Sequence, residues 1–242
     1  MSYINKSLRA AALGMALCGV AAAAELPQVK GNAMVPDAAK ALHERGREAG
    51  QRGALSEAVE LFTKASELAP EWPYPIYDRA FTHLQARNTA AALADYRRTL
   101  ELSPRGFFTA HVAVDALRRE SKGELPEGFY LAYSMLEFMP DGEKRQVISQ
   151  LVSKFPHFAP AWLEFAKLAS APRERLERIE AGLRAHPDPE TNGMLRLNQA
   201  LTLRQLGQDA GANAIIEQLA ADPSSTSAVA AWAKAPLAKS DR

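Results

Sequence analysis

The sequence has 242 residues, of which 24% are charged, and a formal net charge of +1. This near-neutral balance lacks the basic excess that binding to phosphate groups requires, so it argues against a nucleic-acid-binding protein. A single cysteine, Cys18, excludes a framework of intrachain disulfides.

The first 24 residues have the pattern of a secretory signal peptide. Lys6 and Arg9 precede an apolar run over residues 10–20, which is followed by four alanines. This run is too short for a membrane-spanning helix, which needs about 20 residues. We therefore predict cleavage after Ala24 and export to the periplasm, and loss of the two basic residues changes the net charge from +1 to −1.

Cys18 lies at the end of the apolar run, where a bacterial lipoprotein would carry its lipid. Leu17 precedes it, although lipoprotein signals have Gly, Ala or Ser at that position. We therefore expect Cys18 to be removed with the signal peptide. The mature chain would then have no cysteine and no lipid anchor.

The remainder of the chain divides into three segments by composition. Residues 25–36 contain Pro27, Gly31 and Pro36 and are predicted to form a flexible lead-in. Residues 37–235 carry helical patterns throughout, and residues 236–242 are predicted to be a disordered tail. No stretch alternates in polarity as a half-buried strand would.

A motif recurs at a fixed period within the helical segment. Its first copy is Ala58, Phe62, Ala65 and Pro70, and 34 residues later the same positions are occupied by Ala92, Tyr96, Thr99 and Pro104. The same offset also aligns the residues that precede each copy: Leu42, Gly46 and Ala49 with Ile76, Ala80 and His83. Both halves of a 34-residue unit therefore repeat.

This pattern resembles the tetratricopeptide repeat (TPR), a 34-residue unit of two helices. The resemblance implies an all-α fold, a right-handed α-solenoid of stacked antiparallel helix pairs with about four to five repeats and a C-terminal capping helix that carries Trp232. It places Gly46 and Ala58 where the two helices of a unit approach most closely, and Gly53 at the internal turn. The alternative is an irregular helical bundle.

The repeat pattern becomes irregular beyond Pro104. Residues 191–225 fit the 34-residue frame again, and residues 159–188 resemble a shortened unit. Residues 107–156 contain three helical patterns whose pairing the spacing leaves open. One register joins 107–121 to 125–139, and the other joins 127–139 to 142–155.

Local patterns predict particular helix faces and helix starts. Apolar residues at helical spacing give stripes such as Leu55, Val59, Phe62 and Leu68. Ser170 and Asp188 each precede a proline closely, so both are predicted to cap the N-terminus of a helix.

No pattern of catalytic or metal-binding residues is present. The five histidines form no HExxH motif, and the sequence has no GxSxG, Walker A or GxGxxG motif. A zinc site needs three or four converging ligands, which the spacing does not suggest. We therefore predict a protein that is not an enzyme and that binds no metal or cofactor.

The TPR resemblance also implies a partner-binding groove lined by the first helix of each unit. Its predicted positions combine a basic rim with an aromatic floor, and they are Lys40, His43, Arg47, Tyr74, Tyr77, Phe81, Leu84, Phe108 and His111. Aromatic residues and Arg dominate binding hot spots, so a peptide or helix segment of another protein is the expected ligand. Chaperone-binding members hold a terminal carboxylate at equivalent positions, where this chain has Asp78, which would repel it.

The predicted function is therefore a non-catalytic scaffold that binds other proteins of the bacterial cell envelope. The alternative is a periplasmic protein that binds a glycan or small molecule, or an accessory subunit of an envelope enzyme or assembly machine.

Overall fold

The computed structural model describes residues 35–235 of the chain. The predicted signal peptide, its cleavage site, Cys18, most of the lead-in and the tail after Ala235 lie outside these residues. Within residues 35–235 the chain forms twelve α-helices and one 3₁₀ helix, and this range contains no strand. The predicted all-α fold is therefore confirmed.

The helices belong to two compact units that divide after Ser134. The described part of unit 1 contains α1 (Asp37–Gln51), α2 (Leu55–Leu68), α3 (Pro73–Gln85), α4 (Thr89–Leu102), α5 (Ala110–Ser121) and α6 (Phe129–Ser134). The described part of unit 2 contains the 3₁₀ helix η1 (Met135–Phe138), α7 (Asp141–Lys154), α8 (Ala159–Lys167), α9 (Pro172–Arg184), α10 (Pro189–Gln205), α11 (Asp209–Ala221) and α12 (Ser227–Lys234).

The 34-residue period of the sequence is present in the backbone of unit 1. Helix α4 begins and ends 34 residues after α2. The turn before α2 has Gly53 at φ 78°, and the turn before α4 has Arg87 at φ 58°, 34 residues later. The same left-handed turn thus ends α1 and α3, although only the first has the glycine that this conformation favours.

Small residues allow α1 and α2 to approach closely, as the resemblance predicted. Gly46 lies against the ring of Phe62, where an added Cβ would be 2.6 Å from a ring carbon. The repeated motif supplies the buried side of both second helices, and its members Ala58, Phe62, Ala65, Ala92, Tyr96 and Thr99 are all buried. The repeat is therefore a packing unit.

Consecutive helices pack against each other in both units. Five consecutive pairs do so: α1 with α2, α3 with α4, α5 with α6, α8 with α9, and α10 with α11. The first helices of successive pairs also contact each other, because α1 packs on α3, and α10 packs on α8 and on α12. This is the stacking pattern of an α-solenoid. That residues 37–235 form one continuous repeat domain stays a prediction.

Helix α5 packs against α4 and α6, which agrees with the first of the two registers. The Glu120 carboxylate of α5 accepts hydrogen bonds from the backbone N–H groups of Gly128 and Tyr130, at 2.8 and 2.7 Å. It therefore caps the start of α6 from the neighbouring helix. In unit 2, α7 packs against α8.

The predicted apolar stripe of α2 is wrong at its last position. Leu68 is 48% exposed, whereas the next residue, Ala69, is buried at 8%. The buried face of α2 runs through Ala58, Leu61, Phe62 and Ala65. Leu68 lies off this face, because the helix places it one residue before the position that continues the stripe.

One of the two predicted N-caps is confirmed. Asp188 caps α10 by accepting hydrogen bonds from the N–H groups of Glu190 and Thr191. Ser170 does not cap α9, because the chain leaves Ala171 at the cap position. The Ser170 N–H instead donates to the Glu174 carboxylate at 3.0 Å.

Candidate functional site

Helix α3 presents the predicted aromatic residues on one side. Tyr74, Tyr77 and Phe81 are half-buried, and their spacing places them on one face of the helix. Leu84 shares that face but is 2% exposed, so its assignment to the groove is wrong. It belongs to the core because α3 packs against both α2 and α4.

The aromatic rings of α3 continue onto the turn before α5. Tyr74 contacts Phe107 and Phe108, with ring centroids 4.8 and 5.8 Å apart. Tyr77 contacts the same two rings at 5.5 and 5.2 Å. We call Tyr74, Tyr77, Phe107 and Phe108 the aromatic strip. Phe107 is 1% exposed and supports the strip from below, whereas the other three remain half-buried.

Phe108 has an unusual backbone conformation. Its φ is 46°, in the left-handed region that a bulky side chain seldom adopts. The conformation keeps two successive phenylalanine rings in contact, 4.7 Å apart. Such strain costs on the order of 1–3 kcal/mol and persists where the surrounding structure holds it, often at functional sites. His111, in the first turn of α5, is also half-buried.

Hydroxyl groups fix the strip in place. The Tyr77 hydroxyl and the Thr109 Oγ1 are hydrogen-bonded at 2.9 Å, and Thr109 also contacts the Tyr130 hydroxyl at 3.3 Å. Burial raises the pKa of Tyr74, and the nearby Asp78 raises it further. The Tyr74 hydroxyl therefore remains protonated at neutral pH.

His43 connects α1 to α3 and is largely removed from the surface. It is 8% exposed, and its Nε2 is hydrogen-bonded to Asp78 Oδ2 at 2.8 Å. Its ring also contacts Trp72 at 4.9 Å and Phe62 at 5.6 Å. Asp78 is therefore engaged within the protein, and His43 supports the first-helix packing more than it lines an open surface.

The predicted basic rim is balanced by acidic residues on α1. Lys40 pairs with Asp37 at 3.0 Å, and Arg47 pairs with Glu44 at 3.0 Å. Each acid lies three residues before its base on the same helix. The accessible side of unit 1 is thus aromatic with compensated charge.

A second polar network links the helices of unit 1. Arg79 binds both carboxylate oxygens of Asp95, at 2.8 and 2.7 Å, and donates to Thr63 at 2.9 Å. His83 Nε2 lies 3.8 Å from Asp95. Burial lowers the pKa of His83, partly offset by Asp95. These groups satisfy one another and tie α2, α3 and α4 together.

Three residues of the strip's surroundings were missed in the sequence. Phe107 and Thr109 flank a predicted position, but the repeat frame assigns them no role. Trp72 immediately precedes α3 and contacts both His43 and Tyr74. The FF pair at 107–108 was the available signal, since two aromatic residues adjoin a glycine there.

Neither a metal site nor a membrane span is found in the described part of the chain. Within residues 35–235, no group of three or more His, Cys, Asp or Glu side chains is arranged to hold a metal ion. In the same range, none of the helices combines the length and hydropathy needed to cross a membrane.

Comparisons of sequence with known proteins give no assignment: no protein-family model and no curated protein matches the chain. Solved structures give low similarities. MamA from Desulfovibrio magneticus RS-1 has a TM-score of 0.35 and 14% identity, covering 76% of this chain and 94% of that one. TTC0263, a TPR protein of Thermus thermophilus, has a TM-score of 0.34 and 17% identity, covering 75% and 89%.

A tetratricopeptide repeat protein from Parabacteroides merdae ATCC 43184 is similar to the same degree, with a TM-score of 0.34 and 16% identity over 77% of this chain and 79% of that one. These structures are all-helical neighbours at a level of similarity too low to support a functional argument. The class of this protein, an all-α chain of stacked helix pairs, rests on its own helix packing.

Proposed function

We propose that this chain is a non-catalytic scaffold of the bacterial cell envelope, and that it binds a peptide or helix segment of a partner protein on the aromatic strip of unit 1. The observation that supports this proposal is the continuous contact between the half-buried rings of Tyr74, Tyr77 and Phe108. Rigid aromatic side chains provide large contact area at low cost in side-chain entropy.

The charges around the strip favour a particular partner chemistry. Lys40 and Arg47 are each paired with an acidic residue, and Asp78 is engaged with His43. An anchoring charge on the partner would therefore meet no uncompensated opposite charge among these groups. We propose that the bound segment anchors through aliphatic or aromatic side chains, with its backbone near the hydroxyl groups of Tyr77 and Thr109.

A direct test is capture of the partner by the full chain and by variants of the strip. Tyr77→Ala combined with Phe81→Ala should abolish capture, while the helical circular dichroism is retained. Phe108→Asn is a milder variant, because asparagine tolerates the left-handed conformation that Phe108 adopts. Arg97→Ala, at an exposed position on α4, is the matched control and should capture normally.

The result also distinguishes the alternative function. Capture that is unchanged in both strip variants would refute the proposed surface. A rise in Tm with a sugar or metabolite, lost in Phe108→Asn, would favour the glycan or small-molecule alternative, since aromatic rings beside hydroxyl groups also suit such ligands.

The envelope location is proposed from the N-terminal sequence alone. Lys6 and Arg9 before the apolar run, and the alanines up to Ala24, support export. Mass spectrometry of the protein from its native cells should give a mature N-terminus at Glu25. An intact N-terminus at Met1, or a lipid on Cys18, would contradict this part of the proposal.

A further inference from the structure

Unit 2 contains a carboxyl group that no part of the proposed function uses. Glu190 lies in the first turn of α10, and its Oε2 is buried without a hydrogen-bond partner among the described groups. A buried polar atom of this kind is uncommon and requires an explanation. An ionised carboxylate there would carry a desolvated charge, whereas a neutral carboxyl would be far less costly to bury.

The position of Glu190 connects it to the packing of α8 on α10. Met194 follows one turn later on the same helix face and packs against the cluster formed by Leu163 and Ala166 of α8, Ile179 of α9 and Leu195 of α10. The Glu190 side chain therefore stands at the entrance to an apolar seam between the two first helices of unit 2.

Two charged groups act on this carboxyl. Asp188, which caps the same helix, disfavours a second negative charge, and Lys167 of α8 favours one. Lys167, however, donates to Glu164 at 2.6 Å, and it also acts on the carboxyl group of Glu137 in η1. One lysine thus serves three carboxyl groups, and the geometry gives its hydrogen bond to Glu164.

We propose that the Glu190 carboxyl is a proton-controlled latch of the α8–α10 seam. With its proton bound, the side chain stays buried in the closed seam. Release of the proton to solvent leaves an unpaired carboxylate beside Asp188, and the first turn of α10 then loosens from α8.

Burial raises the pKa of Glu190 well above its usual 4.5, and Asp188 adds to this effect. The helix N-terminus and Lys167 oppose the shift, but a helix dipole contributes only about 0.3–1 kcal/mol. A raised acid pKa stabilises the fold fully below pH 4.5, and this stabilisation is lost as the pH rises through the folded-state pKa. The latch is therefore closed in acid and opens towards alkaline pH.

The test is the pH dependence of Tm for the full chain and for Glu190→Gln. The amide keeps the shape of the neutral carboxyl but cannot ionise. We expect the two Tm values to agree near pH 4 and to separate as the pH rises, until Glu190→Gln is more stable by about 2–4 °C at pH 8. Glu180→Gln, an exposed position on α9, is the control and should show no pH-dependent gap.

Each other outcome overturns the proposal. A gap of constant size would mean that Glu190 acts only through packing. A Glu190→Gln protein that is less stable at high pH would mean that Lys167 pairs with an ionised Glu190. If the variant does not fold, the carboxyl ¹³C resonance of Glu190 in the unaltered chain decides, since a titration midpoint at or below the usual value also contradicts the latch.

A local readout accompanies these measurements. Amide exchange of the first turn of α10, corrected for the intrinsic pH dependence, should accelerate as Glu190 titrates and should not do so in Glu190→Gln. Uniform protection across the titration would exclude loosening of the seam.

Discussion

At the scale of single residues, two glycines of α1 have different roles although they are one helical turn apart. Gly46 has no room for a side chain, because an added Cβ would lie 2.6 Å from the Phe62 ring. Gly50 has space, since the nearest atom to an added Cβ is the Ala58 Cβ at 3.9 Å. The same substitution should therefore have opposite effects at the two positions.

We expect Gly46→Ala to lower the free energy of unfolding by about 1–3 kcal/mol, because the ring of Phe62 must move within a packed seam. Gly50→Ala should be neutral or stabilising by up to about 1 kcal/mol, since alanine favours a helix interior. Urea unfolding followed by circular dichroism measures both. Equal losses would show that α1 and α2 do not pack as described.

His83 gives a prediction for the response to acid. Burial lowers its pKa from the usual 6.5, so the folded state binds a proton less readily than the unfolded chain. This contribution to stability is present above pH 6.5 and is lost as the pH falls towards the lowered pKa. We expect His83→Gln to reduce the fall in Tm between pH 7.5 and 5.5.

The exposed His157 serves as the control for that measurement, and His157→Gln should leave the acid response unchanged. If His83→Gln instead made the protein more sensitive to acid, the ion pair with Asp95 at 3.8 Å would outweigh burial. His83 in unit 1 and Glu190 in unit 2 thus give pH responses of opposite sign.

At the scale of helices, unit 1 is held by polar links as well as by small residues. Arg79 of α3 joins Asp95 of α4 to Thr63 of α2, and each of its bonds is shorter than 3.0 Å. Arg79 and Asp95 have side-chain exposures of 20% and 12%, so loss of either partner leaves a poorly solvated charge.

We expect Asp95→Leu to destabilise the protein by about 3 kcal/mol, because Arg79 then remains buried without its counter-ion. The double variant Arg79→Met with Asp95→Leu should recover most of this loss, since no isolated charge is left. Thermal unfolding of the two variants tests the prediction. Additive losses would show that the pair contributes little to linking the helices.

Helix faces also explain where the sequence predictions failed. Hydropathy placed Leu68 in the core and Leu84 on the surface, and the structure reverses both. The positions depend on which neighbours pack against each helix, and the sequence pattern of one helix does not contain that information. The two rings at Phe107 and Phe108 come together through the positive φ of Phe108, which composition does not reveal.

At the scale of the whole molecule, the 34-residue period was the strongest sequence signal. It predicted the limits of α1 to α4 because the small residues, the turn at Gly53 and the prolines recur together. The period fails over residues 107–156, where α6 is short and continues into a 3₁₀ helix. The partner-binding role of the aromatic strip remains a proposal, because the fold alone does not specify a ligand.

The charge of the whole chain gives a separate prediction. A formal net charge of +1 provides little attraction for a polyanion. We expect the protein to elute from heparin in about 0.1 M salt and to give no shift of a DNA or RNA oligonucleotide. Retention with a steep salt dependence would reveal a basic surface and would contradict the proposed class of partner.

The central claim is that the aromatic strip of unit 1 contacts a partner polypeptide. The most direct measurement replaces Phe108, and separately Arg97 of α4, with a photo-crosslinking amino acid in the full chain produced in its native cells. The proposal predicts a discrete protein adduct from position 108 that is lost when Tyr77 is also changed to alanine, and no such adduct from position 97. An adduct from position 97 alone, or equal adducts from both positions, would contradict it.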